Sequence, residues 1–273
     1  MYSDSTAKRP GLSPRTKQIL GGIGGVFALL LGAVLIYSVL VTPEKQPYRD
    51  ALAQYKQVYE ANVAFTNAAV ALNSSANNDA QLKTGEGAIE TAKTALQTQT
   101  DALGKQAVLS NGEGKTLYDT LASKVKAYIA YSENVLDSRQ KVRPVLTSSD
   151  CSNALASTDS YADKKGPMRA CADSFAALKD ISDDDYRALA DGYTEKTAEL
   201  ATIFEKIADL KDPNGENAKQ QNELVTQHDD VLAQIETINK AFTNGLQRNK
   251  AKVDITASAQ ALDAFLTRKS SVF

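Results

Sequence analysis

Two cysteines, Cys151 and Cys171, are the residues whose type and spacing most clearly predict chemistry. They are the only cysteines in the 273-residue chain, so neither thiol has a competing partner. In an oxidising compartment such a pair most simply forms one disulfide. The bond would close a loop of about 20 residues. The chain-entropy model of disulfides predicts that such a bond stabilises the folded state by about 3 kcal/mol. The alternative is two free buried thiols, which applies if this part of the chain faces a reducing compartment.

An acidic run at residues 180–185, DISDDD, could supply carboxylates to a cation or to acid–base catalysis. It lacks the alternating spacing and the glycine of a calcium-binding loop. With Ser182 as the N-cap, residues 183–185 would lie in the first turn of a helix, where negative charge is favourable. We therefore predict that this run begins a helix. The similar run at residues 212–216, DPNGE, is explained by turn formation.

His228 is the only histidine in the chain. A site with several histidine ligands is therefore excluded, and a Ser–His catalytic pair would have to be built around this one residue. It falls on the apolar stripe of a predicted helix, so we interpret it as a residue packed against the core. The sequence also contains no G-x-S-x-G, phosphate-binding glycine loop or H-E-x-x-H motif. We predict no catalytic, cofactor-binding or metal-binding residues, and a protein that is not an enzyme.

The longest apolar stretch of the chain is residues 19–41, ILGGIGGVFALLLGAVLIYSVLV, which contains no charged residue. This length is sufficient for one transmembrane helix, which needs about 20 apolar residues. The preceding tail, residues 1–18, is polar and predicted to be disordered. Its net charge of +3 predicts a cytoplasmic N-terminus and a large segment outside the cytoplasm. That charge comes from Asp4 and four cations: Lys8, Arg9, Arg15 and Lys17.

A cleaved signal peptide is the alternative interpretation of this stretch. The apolar region of a signal peptide is about 7–15 residues long and is followed by small residues at the cleavage site. Here the apolar run is longer, no such site follows, and Pro43 comes directly after Thr42. We therefore favour an uncleaved signal-anchor in the cell membrane.

Small residues form a stripe on one side of the predicted transmembrane helix. Spacing of this kind allows a second helix to approach closely, as in G-x-x-x-G packing. We therefore predict self-association or contact with another protein through this helix, although glycine is also common in membrane spans. The stripe comprises Gly21, Gly25, Ala28 and Gly32, with Gly24 beside it.

The rest of the chain is predicted to be helical. After a proline-containing linker at residues 42–47, apolar residues recur at steps of three and four, and no stretch alternates with period two. We expect an elongated up-and-down bundle of about six helices, either continuous or as two stacked three-helix bundles. Its halves would be residues 48–144 and 168–273, joined by an irregular disulfide-closed connection at 145–167. Asn73-Ser74-Ser75 also matches an N-glycosylation acceptor.

These features favour a membrane-anchored, extracytoplasmic helical module that binds or scaffolds other proteins of the cell envelope. Subtracting the +3 of residues 1–41 from the whole-chain charge of −2 leaves −5 on the large segment. This mild acidity argues against nucleic acid as a partner, because nucleic-acid binders need clustered Lys and Arg. A ligand-sensing subunit that signals through transmembrane helix pairing is the first alternative. An envelope enzyme is the second.

Overall fold

A computed structural model describes residues 43–74, 79–156, 160–210 and 217–271 of the chain. Within these ranges the protein is all-α and contains no strand, so the predicted fold class is confirmed at this level. None of the helices in these ranges is both long enough and apolar enough to cross a bilayer. The predicted tail and transmembrane segment, and the predicted turn at 212–216, lie outside the described residues.

The described part of the chain contains seven longer α-helices, one two-turn α-helix and two short 3-10 helices, Pro43–Lys45 and Ala107–Leu109. Residues Pro47–Ser270 belong to one compact unit. In chain order the α-helices are α1 Gln46–Ser74, α2 Asp79–Gly104, α3 Gly112–Leu146, α4 Ser149–Ala156, α5 Tyr161–Ala176, α6 Asp184–Ala208, α7 Ala218–Lys252 and α8 Thr256–Ser270.

The first of two hydrophobic cores is built from α1, α2, the 3-10 helix Ala107–Leu109, α8 and the N-terminal two-thirds of α3. On α1 the buried residues follow the predicted spacing of three and four, because these positions share one face of a helix. Burying the apolar side chains removes them from water, which is the main favourable contribution to folding. The fully buried large side chains of this core are Phe65, Leu96, Leu103, Leu109, Leu121, Leu262 and Leu266.

The second core is built from α4, α5, α6, α7 and the C-terminal end of α3. Helix α3 therefore contributes to both cores, with Leu136 in the first and Val142 in the second. The fully buried large side chains here are Met168, Phe175, Leu200 and Phe204.

Two features of this arrangement differ from the sequence-based expectation. The connection expected to be irregular, residues 145–167, contains α4 and the start of α5, which continues through Pro167. The helix persists because Met168, Cys171 and Phe175 pack into the second core, and such packing can outweigh a local proline. The second difference is that α8 packs into the first core, so the cores are not successive halves of the chain.

Candidate functional site

The structure brings the two predicted cysteines to disulfide distance. Their sulfur atoms are 2.03 Å apart and their Cα atoms 4.9 Å apart. Cys151 lies in α4 and Cys171 in α5, and both are buried in the second core. The cysteine pair therefore joins the two-turn helix α4 to α5 and holds α4 against the second core.

His228 lies on α7 and packs against two aromatic rings. Its ring centroid is 6.1 Å from that of Tyr161 and 5.6 Å from that of Phe204. Its Nδ1 atom is 2.9 Å from Oδ1 of Asp229, and its side chain is 18% exposed. The imidazole thus covers the edge of the second core, as we interpreted it from its place on the apolar stripe.

The acidic run at 180–185 begins a helix, but the capping residue is not the one that we predicted. Asp183, rather than Ser182, is the N-cap of α6. One oxygen of its carboxylate accepts hydrogen bonds of 3.0 Å from the backbone N–H groups of Asp185 and Tyr186. The Ser182 hydroxyl donates instead to the Asp137 carboxylate on α3. Asp183 is the N-cap in place of Ser182 because a carboxylate at this position accepts hydrogen bonds from the first backbone N–H groups of the helix. Its negative charge also interacts favourably with the positive end of the helix dipole.

A polar junction connects α3, α6 and α7 between the two cores, and we define it as Tyr131, Ser138, Asp183, Asp185 and Asn249. The backbone N–H of Asp183 donates to the Ser138 hydroxyl at 2.8 Å. The Asn249 amide donates to the Asp185 carboxylate at 2.7 Å, and the Tyr131 hydroxyl donates to the backbone carbonyl of Leu246 at 3.0 Å. Since buried polar groups are costly unless paired, this network fixes the three helices relative to one another.

Burial shifts the pKa values of two groups in the polar junction, Tyr131 and Asp183. It raises the pKa of the Tyr131 hydroxyl to about 12, and the nearby charges of Asp183 and Asp185 act in the same direction. It also raises the pKa of the Asp183 carboxyl, an effect that the hydrogen bond from the Tyr186 backbone opposes. Both groups have hydrogen-bond partners within the protein. Their pKa shifts are therefore those of a network that stabilises the fold.

Next to the junction, the Arg139 side chain of α3 reaches the end of α1. Its guanidinium donates a 3.0 Å hydrogen bond to the backbone carbonyl of Leu72. Carbonyls at the end of a helix lack partners within the helix, and a cation is favourable there. Burial, together with the neighbouring charge of Arg143, lowers the pKa of this guanidinium. Arg139 therefore joins α1 of the first core to the part of α3 that enters the second.

Gly245 of α7 provides a test of the polar junction. A Cβ atom at this position would overlap the carboxylate of Asp185, which Asn249 holds in place. We expect Gly245→Ala to lower the free energy of unfolding by about 1–3 kcal/mol, the usual cost of overpacking. Urea denaturation followed by far-UV circular dichroism measures this change.

The matched control for Gly245→Ala is Gly87→Ala in α2, where nothing lies within 4 Å of the added Cβ atom. Alanine in a helix interior is favoured over glycine by roughly 0.5–1 kcal/mol. Gly87→Ala should therefore raise the free energy of unfolding. Equal effects of the two substitutions would show that Asp185 does not restrict the space at Gly245.

The Asp263 carboxyl of α8, in the first core, should make the free energy of unfolding depend on pH. Burial raises the pKa of its carboxyl, and the charge of Lys56 opposes the shift. The folded protein therefore binds this proton more tightly than the unfolded chain does. The contribution of Asp263 to stability is present below the unfolded pKa and is lost as the pH rises through the raised folded pKa. Urea denaturation at a series of acidic pH values should show Asp263→Asn gaining stability relative to the wild type over this window.

The Asp137 carboxyl provides the control, because its pKa is shifted in the opposite direction to that of Asp263. A hydrogen bond from Ser182, and then one from Lys141, lower the pKa of the Asp137 carboxyl. Its contribution is present above the unfolded pKa and is lost as the pH falls through the folded one. Asp137→Asn should therefore lose stability relative to the wild type as the pH rises over the acidic range. Parallel pH profiles for the two variants would contradict both assignments.

A groove of about 680 Å³ runs between α2 and α3. Its floor includes the buried side chains of Thr100, Val125 and Ile129, while Asp101 and Lys126 line its walls. Within the described residues, no group of three or more His, Cys, Asp or Glu side chains could hold a metal ion. Both apolar and polar side chains line the groove.

The outer face of α1 is the second surface feature, and we define it as Val63, Ala64, Asn67, Val70 and Ala71. All five residues are exposed, and Val63 and Val70 are the exposed large hydrophobic residues of the described chain, at 39% and 41%. The face points away from the first core, because its residues lie on the opposite side of the helix from the buried ones. It also falls in a part of the sequence, residues 61–78, that contains no charged residue.

The site residues predicted from sequence fall into two groups. The structure describes only the cysteine pair. The small-residue stripe and the topology-determining cations lie outside the described residues: Gly21, Gly24, Gly25, Ala28, Gly32, Lys8, Arg9, Arg15 and Lys17. Neither the polar junction nor the outer face of α1 was predicted from the sequence. Local sequence carries no signal for the junction, but the uncharged run at 61–78 could have indicated the outer face.

No protein-family model, curated protein or solved structure matches this chain. The class of the protein is thus defined by its own architecture, an all-α helical bundle with two hydrophobic cores that share α3.

Proposed function

We propose that this protein is a single-pass membrane protein with its N-terminus in the cytoplasm, and that it holds the helical bundle outside as a binding or scaffolding module. The observation that carries the proposal is the uncharged apolar sequence of residues 19–41, which follows a positively charged tail and leads into α1. The partners are the lipid bilayer, through one span, and a protein of the cell envelope.

The outer face of α1 supports a role in protein–protein contact. Surface helices normally place charged residues on the side that faces water, whereas the buried centre of a protein interface is depleted of charge. Val63 and Val70 are exposed within a stretch that lacks charged residues. A face of this composition suits contact with another apolar surface better than it suits solvent.

The cysteine pair supports the extracytoplasmic placement of the bundle. Cys151 and Cys171 lie at disulfide distance, and disulfides persist mainly in oxidising compartments. In the cytoplasm a pair of this kind would be kept reduced.

Photo-crosslinking in intact cells tests the binding function. A photoreactive residue at Asn67 of the full-length chain should give covalent adducts with protein, because this position lies in the outer face of α1. The same residue at Ala233, an exposed position of α7, should give few. Absence of adducts from position 67, or the same adducts from both positions, would contradict the proposed role of α1.

Alkaline extraction tests the anchor separately. The wild-type chain should remain in the membrane fraction, since an apolar transmembrane helix is not released by high pH. Replacing Leu30 and Leu35 with arginine adds about 2.5–3.5 kcal/mol per residue to the cost of insertion. The double variant should therefore appear in the soluble fraction, and release of the wild type as well would contradict the proposed anchor.

The groove between α2 and α3 favours a second candidate function, that of a ligand-sensing subunit. In this case a ligand bound along Thr100 and Ile129 would alter the packing of α2 against α3. The altered packing would be transmitted through α1 to the pairing of transmembrane helices. Binding to the full-length protein is measured directly with envelope extracts, and hydrogen exchange is followed in the same samples. The ligand-sensing candidate requires a small molecule that binds and protects the backbone N–H groups of α2 and α3 from exchange.

A further inference from the structure

Helix α4 packs against the rest of the bundle mainly through α5. Among its side chains that the structure describes, Cys151 and Ala154 are buried in the second core, whereas Ser149, Asp150 and Ser152 are exposed. The helix has only eight residues, and an isolated helix of this length is not stable in water. The bond from its cysteine to α5 is therefore a large part of what keeps α4 folded and in place.

Helix α5, by contrast, is held to α6 by contacts that do not involve the cysteines. The Phe175 ring packs on the Tyr193 ring, with 5.0 Å between the centroids. The Arg169 guanidinium forms an ion pair of 3.0 Å with the Glu205 carboxylate. The two helices joined by the disulfide therefore depend on it unequally, since α5 has its own contacts with the second core.

The other end of α4 is joined to α3 by a turn of two residues, Thr147 and Ser148. The backbone N–H of Thr147 donates to the carbonyl of Arg143 at 3.0 Å, which closes the last turn of α3. The Ser148 hydroxyl accepts a hydrogen bond of 3.2 Å from the backbone N–H of Cys151, at the start of α4. If α4 separates from α5, it remains attached to α3 at this turn.

We propose that the Cys151–Cys171 disulfide is a redox switch: its reduction releases α4 from the second core, while α5, α6 and α7 stay folded. Release of α4 uncovers the surface of α5 around Cys171, which is fully buried when α4 is in place. This part of the second core is then accessible only in the reduced protein. The inference goes beyond the proposed function and requires neither the anchor nor the protein partner.

The reductant is a dithiol, and the reaction is thiol–disulfide exchange. A thiolate of the reductant attacks one sulfur of the pair, forms a mixed disulfide with it and releases the other cysteine as a thiolate. The second thiolate of the reductant then breaks the mixed disulfide. The products are two cysteine thiols and one disulfide of the reductant, so two electrons and two protons pass to the protein.

The burial of both cysteines determines how the reductant reaches them. Cys151 and Cys171 are at most 1% exposed, so the attack requires α4 to open first. Short elements with few buried contacts open at a lower cost than the whole fold. We therefore expect the reduction to proceed in the absence of urea.

Hydrogen exchange of the full-length protein in detergent micelles, without urea, tests this inference. Exchange is followed by mass spectrometry with and without dithiothreitol, and maleimide labelling of a parallel sample counts the free thiols. After reduction, the backbone N–H groups of α4 should exchange roughly tenfold faster or more, because exchange follows local opening. The N–H groups of α6 and α7, and those of α1 as the internal control, should change by less than about twofold.

The double variant Cys151→Ser and Cys171→Ser separates loss of the bond from other effects of the reductant. Its α4 should exchange rapidly both with and without dithiothreitol. If α4 of the wild type remains protected after both thiols are free, packing alone holds it and the proposed switch is wrong. Faster exchange of α6 and α7 together with α4 would also overturn it, because the bond would then support the whole second core.

Two results of the thiol count would overturn the inference as well. Two reactive thiols per chain before any reduction would mean that there is no bond to reduce. Reduction that proceeds only at urea concentrations that unfold the bundle would mean that α4 does not open by itself.

Discussion

Replacing Phe65 with alanine is expected to lower the free energy of unfolding by about 3–5 kcal/mol. The side chain is fully buried in the first core. Its ring makes an edge-to-face contact with Tyr128 of α3, with 5.5 Å between the centroids and an angle of 87°. The substitution removes both the burial of the ring and this aromatic contact, and it leaves a cavity between α1 and α3.

Gln57→Ala on the same helix is the matched control for Phe65→Ala. Gln57 is exposed, and surface substitutions of this kind usually change stability by less than about 0.5 kcal/mol. Urea denaturation of both variants, followed by far-UV circular dichroism, measures the difference in the free energy of unfolding. If the two variants unfold at the same urea concentration, the first core is not organised around Phe65 as described.

Replacing both Cys151 and Cys171 with serine is the second change with a large expected effect, about 2–5 kcal/mol. The bond closes a loop with a sequence separation of 20, and it fixes α4 to α5 in the second core. Without it, the unfolded chain gains conformational freedom, and α4, with only eight residues, is too short to be stable by itself. The loss should appear as a lower midpoint of urea denaturation.

A reducing agent provides the control for the cysteine prediction. Reduction should lower the stability of the wild-type protein to about that of the double serine variant. The double variant should unfold at the same urea concentration with and without the reducing agent, because it has no disulfide to lose. A wild type that is insensitive to reduction would mean that the two thiols are free in the purified protein.

The sequence predicted the parts of the fold that depend on local periodicity. On α1 the apolar residues spaced in this way include Tyr55, Val58, Phe65 and Leu72, and all four are buried in the first core. The prediction succeeded because one face of a helix has a fixed spacing, whatever packs against it. The start of α6 was predicted to within one residue for a similar reason, since capping depends on neighbouring side chains.

The parts that were missed depend on contacts between residues distant in sequence. Helix α8 was grouped with the second half of the chain, yet Leu262 and Phe265 pack into the first core. Nothing in the periodicity of α8 shows which core it joins. In the polar junction, Asn249 and Asp185 are 64 residues apart, so their hydrogen bond has no local signature. The persistence of α5 through Pro167 likewise follows from its burial in the second core and not from helix propensity.

The central claim is tested most directly by determining on which side of the membrane the N-terminal tail and the helical bundle lie. Cysteine reporters added one at a time at Ser5, in the tail, and at Ala233, in α7, can be labelled with a membrane-impermeant maleimide in intact cells. We expect the Ala233→Cys variant to react without permeabilisation and the Ser5→Cys variant to react only after it. Labelling of both reporters only after permeabilisation, or of the tail reporter alone in intact cells, would contradict an N-in anchor that holds the bundle outside the cytoplasm.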